Sequence, residues 1–417
     1  MTDTYALDEA ILDAELRYIN YFNGRLLSAE DLSQEQSVNR ARARHLGKAL
    51  GSGVAGGLEV SVAPGSNAAQ GLVQIAAGLA VNAAGQTLRL ACNETIALIQ
   101  TLDPSRASEC LFSDCEPLAA GATASSQGYY LLTIAPASKS EGLAPVSGLG
   151  SRLANCNSKY YAEGVKFRFL QLRVSASGNT ARNTIAYECF GHPLVDGLLM
   201  AALGSSPETK YGLSTLTASG DLTDEDVPLA IVEWKASGEL GFIDMWSVRR
   251  RIIQPAVAGR WNYFVGDRRL AENEAMFLQF QEHTRALQTQ GSAAAIAAAD
   301  YFRFLPALGV LLVGGTGSTA AFSATPFFGA HASDDVAMLD AGQFRSLLDE
   351  SLRYEPVRLD QAGKLQLYFI WESVLALEAG TGSRLAMVFA SPALPYRGTA
   401  RFGHAKSNLS RFSSFIL

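Results

Sequence analysis

The spacing of apolar and polar positions changes period several times along the chain, and each change marks an element. Residues 1–16, MTDTYALDEAILDAEL, interleave acids and aliphatics as an acidic leading helix or arm would. An aromatic segment with a glycine turn follows, Arg17 to Leu27 (RYINYFNGRLL). Ser28, with Asp31 three residues on, has the form of a helix N-cap closed by an acid. The helix this opens, from about 29 to 50, carries Glu30, Asp31 and Glu35 early and Arg40, Arg42, Arg44 and Lys48 late. That order complements the helix dipole. Its apolar stripe is thin until Leu46, Ala49 and Leu50, so the helix packs against little, or against another subunit.

Residues 51–57 (GSGVAGG) end the helix, and Leu58, Val60 and Val62 then alternate as a strand. Further strands are predicted at Leu72–Ala76, Leu79–Asn82, Thr87–Leu90 and Tyr129–Ala135, with Val165–Val174 the clearest. Residues 103–127 and the Gly/Ser/Pro-rich 136–158 read as loops, and a short helix is expected near Leu194–Leu203. Val227–Trp234, Ser237-Gly238 and Leu240–Trp246 have the pattern of a β-hairpin, with Arg249-Arg250-Arg251 directly after it. A second long helix runs from Asp267 to Gln290 and stops at Gly291. Beyond it come a helix near Ala341–Tyr354 and strands near Leu365–Leu377 and Arg384–Ala390. The fold class is α+β and β-rich: an N-terminal helix, several short antiparallel β modules of sandwich or barrel type, and a mixed C-terminal domain. The expected divisions are 1–57 (arm and helix, a docking element), 58–265 (β-rich body) and 266–417 (α+β domain).

Composition supports this picture and narrows the partners. A chain of 417 residues exceeds what one core usually serves. Its 48% hydrophobic and 18% charged residues suit packed cores, not disorder. A net charge of −6 without clustered Lys and Arg argues against nucleic acid as a main partner. The longest apolar run, Leu305 to Val313, falls far short of the roughly 20 residues a membrane helix needs, so no membrane insertion is expected. The acidic N-terminus lacks a basic, then apolar, export signal, which implies cytoplasmic synthesis. Five scattered cysteines do not suggest a disulfide framework.

Candidate chemistry is sparse. Val310 to Ala320 (VLLVGGTGSTA) imitates a strand feeding a dinucleotide loop, but Pro326 and Phe327-Phe328-Gly329 arrive before the helix such a loop requires. Cys110 and Cys115 form the one close thiol pair, with no histidine near; His45, His192, His283, His331 and His404 are isolated. Asp221, Asp224, Glu225 and Asp226 lack a calcium-loop pattern and read as a solvated acidic loop. There is no G-x-S-x-G elbow. No catalytic, cofactor or metal residues are assigned, and the chain is not expected to be an enzyme. The arginine triplet has two open readings: an interface ion pair, or a charged strand edge that resists pairing.

The run RYINYFNGRLLSAEDLSQEQ (17–36) and the later GVAGGLEV (53–60) resemble a family of largely uncharacterised bacterial proteins encoded with phage-tail-like contractile injection systems. YAEGVKFRFLQL (161–172), VPLAIVEW with FIDMWSVRRR (227–251) and YFRFLPALGVL (301–311) fit the same family. Two departures stand out: the 40–48 segment is less basic than in those proteins, and Asp226 stands where they often carry a cysteine. The resemblance implies a baseplate, fibre or other tail-associated part, which acts by contacts with other subunits and with copies of itself. It makes Tyr18, Tyr21, Phe22, Leu26, Leu27, Leu46, Leu50, Arg249, Arg250 and Arg251 the candidate subunit interface. A receptor- or carbohydrate-binding fibre module and an unrecognised hydrolase are the alternatives.

Overall fold

The computed structural model describes residues 16–66, 71–97, 127–145, 156–190, 212–218, 220–235, 239–253, 267–289, 293–314, 321–360, 362–380 and 384–394. It is a β-rich α+β protein whose strands, among the described residues, form five sheets. Helix α1 (Ala29–Leu50) leads into β1 (Gly53–Gly57), which pairs antiparallel with β4 (Gly78–Val81); β4 in turn pairs with β5 (Thr87–Leu90). Strands β2 (Val60–Val62), β3 (Leu72–Ile75) and β6 (Glu94–Ala97) make a second three-stranded sheet. The expected strands in this region are present, with one break. Leu58 belongs to no strand, because the chain turns through left-handed φ values at Gly57 (65°) and Leu58 (59°).

The central sheet orders its strands β10-β9-β7-β8: β7 is Gly128–Pro145, β8 Cys156–Gln171, β9 Val227–Trp234 and β10 Leu240–Asp244. The period of two sends Tyr130, Leu132 and Ile134 of β7 into one core with Leu58, Val73 and Leu88. Leu131 and Ile231 point the other way, to Ile185, Cys189 and Val248. A sheet covered on both faces explains why VPLAIVEW is almost continuously apolar. Helix α2 (Ala181–Phe190) supplies part of that second cover.

Beyond the central sheet, β7 and β8 run on alone. Pairing of β7 with β9 stops at Ile134↔Val227, while pairing with β8 continues to Pro145↔Cys156. At about 3.4 Å per residue the two-stranded arm is about 35 Å long. Residues 136–145 and 156–158 are therefore strand, where the sequence suggests loop. Ser138-Lys-Ser-Glu141 and Ser158-Lys-Tyr-Tyr161 are exposed or half-buried, so no apolar alternation betrays them.

The C-terminal sheet has the order β12-β16-β15-β13, with β12 Leu308–Val313, β13 Ala332–Leu339, β15 Leu365–Ile370 and β16 Leu385–Ala390. Only β13 and β15 run parallel, joined through α4 (Ala341–Ser351). A small pair, β11 (Phe304–Leu305) with β14 (Val357–Arg358), sits beside it. Helix α3 (Asp267–Thr289) packs Phe280 and Leu287 into a phenylalanine-rich core on one face, and α4 packs Leu347 on the other. The strand expected over 365–377 ends at Ile370, where helix α5 (Trp371–Glu378) begins. The segment is apolar throughout, so its period cannot separate strand from helix. The short helix expected near 194–203 lies outside the described residues.

Candidate subunit interface

Helix α1 starts where its cap demands. Ser28 Oγ accepts from the Asp31 amide at 3.2 Å, and the Asp31 carboxylate accepts from the Ser28 amide at 3.0 Å. That amide, helped by Arg25 at 2.7 Å, holds the Asp31 carboxyl below the usual carboxylate range. The preceding segment folds back along the helix. Arg25 donates to the Asn20 carbonyl at 2.9 Å, Gln34 Nε2 donates to the Arg17 carbonyl at 3.0 Å, and the Arg42 guanidinium lies 5.6 Å from the Tyr18 ring centroid.

The helix buries almost nothing apolar: over its 22 residues Val38 and Gly47 are buried. Leu26 is 92% exposed, Leu46 69%, Tyr18 68%, Phe22 62% and Leu50 62%, with Tyr21, Leu27 and Leu32 also exposed. Seven of the sequence-chosen positions thus lie on the surface along one capped helix and its lead-in. Leu32, which sequence reasoning passed over, joins them. Scattered exposed leucines are ordinary; here they are concentrated on one element and its lead-in.

Close backbone contact attaches α1 to the body. A Cβ on Gly47 would lie 2.1 Å from the Gly85 carbonyl oxygen, and one on Gly85 equally close to the Arg44 carbonyl. Only two glycines allow that approach. Midway along, α1 is bridged to the β arm by Arg40 and Glu163 at 3.2 Å, both well exposed.

The three arginines at 249–251 have different positions. Arg249 is buried and donates Nη1 to the Leu58 carbonyl at 2.8 Å and Nη2 to the Gly57 carbonyl at 2.6 Å. Burial lowers its pKa. Arg250 donates to the carbonyls of Trp246, Ser247 and Arg249 and lies over the Phe190 ring. Arg251 is half-exposed and pairs with Glu274 at 3.0 Å. Their backbone is used as well: the Val54 amide donates to the Arg250 carbonyl at 2.9 Å, and Ile253 donates to Ser52. The triplet therefore roots the segment that follows α1. All three of its guanidiniums are engaged within the chain, the third through a half-exposed ion pair.

A buried polar cluster joins the central sheet to α3. Asp244 accepts from Arg182 Nε and Gln279 Nε2, each at 2.9 Å, and from the Ser247 amide at 3.0 Å. Burial alone would raise the Asp244 pKa, but the Arg182 charge and these three donors outweigh it and lower it. His283, one turn along from Gln279, is buried beside Phe302, and burial pushes its pKa down to about 3. Nearby, Asn183 replaces a strand partner: its side chain bonds the amides of Arg303 and Phe304 and the carbonyl of Phe304, each at 2.9 Å. Apart from His283, noted as an isolated histidine, none of these residues was singled out from sequence, although Asp244 within the apolar run FIDMW was an available signal.

The remaining sequence candidates do not converge. Strand β12, which feeds the glycine loop, pairs antiparallel with β16, and residues 315–320 lie outside the described residues, as do Cys110 and Cys115. Among the described residues no three side chains could share a metal ion. Asp226 corrects the solvated-loop reading. It is buried, accepts from Thr133 Oγ1 at 2.9 Å and Thr223 Oγ1 at 2.8 Å, and pairs with Arg168. Its neighbours Asp221, Asp224 and Glu225 are exposed. No helix among the described residues is long and apolar enough to cross a membrane.

No protein-family model and no curated protein matches the sequence. A solved structure titled "Crystal structure of TssK" overlaps 66% of this chain at 10% identity and a TM-score of 0.27. The overlap spans about half (49%) of that protein's own length. A likeness at that level carries no argument about fold or role.

Proposed function

We propose that this protein is a non-catalytic structural subunit of a phage-tail-like contractile assembly that docks onto other subunits through residues 17–50. One observation carries the docking reading: a capped 22-residue helix and its aromatic lead-in hold their leucines, tyrosines and Phe22 in solvent. Burying such side chains against a partner stabilises by about 1.5–3 kcal/mol each, so the surface is suited to a tight contact. The choice of assembly follows from the motif resemblance at 17–36, 53–60 and 227–251.

The test is incorporation. Leu46→Glu with Leu50→Glu, or Phe22→Ser with Leu26→Ser, changes only exposed positions, and the expected effect on folding stability is within about 0.5 kcal/mol. Incorporation into particles should fall to background while the purified variant unfolds at the wild-type midpoint. Normal incorporation of both variants would refute the docking role. A glycan-binding role is the second reading, favoured by exposed Tyr160 and Tyr161 on the β arm, since tyrosine faces stack on sugars. Glycan-array binding that is lost in Tyr160→Ala/Tyr161→Ala would establish it.

A further inference from the structure

We infer that two copies of this chain join edge to edge through β8, antiparallel and two-fold symmetric about Tyr161. The surface is the free edge of the central sheet. In the order β10-β9-β7-β8, β8 is terminal, and no strand among the described residues pairs with its outer side. From Cys156 to Gln171 that side is about 50 Å of outward amides and carbonyls. Much of it belongs to the β arm, and a two-stranded ribbon standing alone is at best marginally stable in water. Leu143, Tyr160 and Tyr161 of the arm are exposed.

The two edges of the arm differ. The outer edge of β7 is free beyond Ile134, but it is blunted: Pro136 and Pro145 have no amide to give, and Gly142 turns through a left-handed φ of 65°. Strand β8 has neither device, for it holds no proline and no left-handed residue. Its exposed charges are of opposite sign, Lys159 and Glu163, placed symmetrically about Tyr161. Charges of one sign would keep a copy away from an edge. These two attract one.

Self-complementarity names the occupant. In an antiparallel pairing centred on Tyr161, Lys159 of each copy stands opposite Glu163 of the other, Tyr160 opposite Ala162, and Tyr161 opposite itself. Opposite charges and paired aromatics are the cross-strand contacts that stabilise a sheet. A centre moved to Tyr160 or Ala162 loses both ion pairs. The present partners of these charges are exposed and easily exchanged: Glu163 meets Arg40 at 3.2 Å, and Lys159 Nζ lies 5.0 Å from the Tyr160 ring centroid. Overlap of Cys156 to Lys166 leaves the two bodies at opposite ends, and the two four-stranded sheets become one. The pairing stands apart from the docking role of residues 17–50, none of which lies on this edge.

Sedimentation and cross-linking of the full chain test this. The wild-type protein should be a dimer. Lys159→Glu alone, or Glu163→Lys alone, sets like charges opposite each other and should weaken the dimer about tenfold. Both positions are exposed, so the thermal midpoints should stay at the wild-type value. The double variant Lys159→Glu/Glu163→Lys should restore the dimer, whereas Leu46→Glu/Leu50→Glu should leave it intact. Carbodiimide should couple Lys159 to Glu163 in isotopically mixed pairs when heavy and light chains have exchanged. Within one strand these residues stand about 13 Å apart, too far to couple. The Lys364–Asp334 ion pair supplies isotopically pure links as the internal control. A wild-type monomer at the highest soluble concentration would overturn the proposal. So would a dimer without mixed Lys159–Glu163 links, or a double variant that melts normally yet stays as weak as the single ones.

Discussion

Removal of the Arg249 guanidinium is the sharpest test of how the turn that follows α1 and β1 is held. Gly57 and Leu58 turn the chain through left-handed backbone between β1 and β2, and Leu58 is completely buried while it does so. A leucine in that region stores about 1–2 kcal/mol of strain. Both carbonyls of the turn accept from Arg249, at 2.6 and 2.8 Å. Bonds to a charged donor contribute about 1.5–3 kcal/mol each, and truncation leaves two inward carbonyls unpaired. Against this stands the burial of the guanidinium itself, which Arg249→Ala relieves. The net loss works out at about 2–4 kcal/mol for Arg249→Ala. Arg249→Lys keeps the charge but not the fork and should lose about half as much. Arg251→Ala, which removes a half-exposed pair with Glu274, should stay within about 0.5 kcal/mol and serves as the control. Urea unfolding measures the loss, and amide exchange over residues 53–62 locates it. Wild-type stability and wild-type exchange in Arg249→Ala would refute the clamp.

The cap is testable in the same way: Ser28→Ala should cost about 1 kcal/mol and raise amide exchange at Glu30 to Leu32 first. Gly47→Val drives a side chain into the Gly85 carbonyl and should loosen α1 from the body, seen as faster exchange over 38–50 with the C-terminal sheet unaffected. Stability should also depend on pH through His283. Its folded pKa, about 3, lies below the unfolded value, so the unfolded chain takes up the proton first. Stability is then complete above pH 6.5 and declines as pH falls toward 3, by roughly 2 kcal/mol at pH 5. Asp244, also lowered, adds its own loss only further down, as pH falls through its folded value. His283→Phe should flatten the upper part of the acid limb, and an unchanged slope between pH 6.5 and 4.5 would refute the assignment.

Local chemistry was enough to place α1, the hairpin β9–β10 and helix α3, because each is announced by a cap, a turn or a sustained period. It also left Leu46 and Leu50, at the end of a thin apolar stripe, with little nearby in sequence to cover them. Helix α2 escaped notice for the opposite reason. Ala181, Ile185, Ala186, Cys189 and Phe190 are buried on several sides, which leaves no polar face to set a period. The β arm escaped because both its faces are polar, so only the ladder from Ala135 to Pro145 with β8 defines it as strand.

Sequence by itself determined which segments could be helix or strand and which apolar side chains lacked a local partner, since backbone propensity and periodicity act over a few residues. Tertiary structure alone decided the fate of the charges. Asp226, Asp244 and Arg249 look alike in a sequence to any exposed acid or base. Each is committed by groups brought from 35 to 192 positions away, Gln279 and Arg182 on Asp244, Arg168 and Thr133 on Asp226, Gly57 on Arg249. A buried charge is defined by the donors and acceptors that surround it, and those are assembled only when the chain folds.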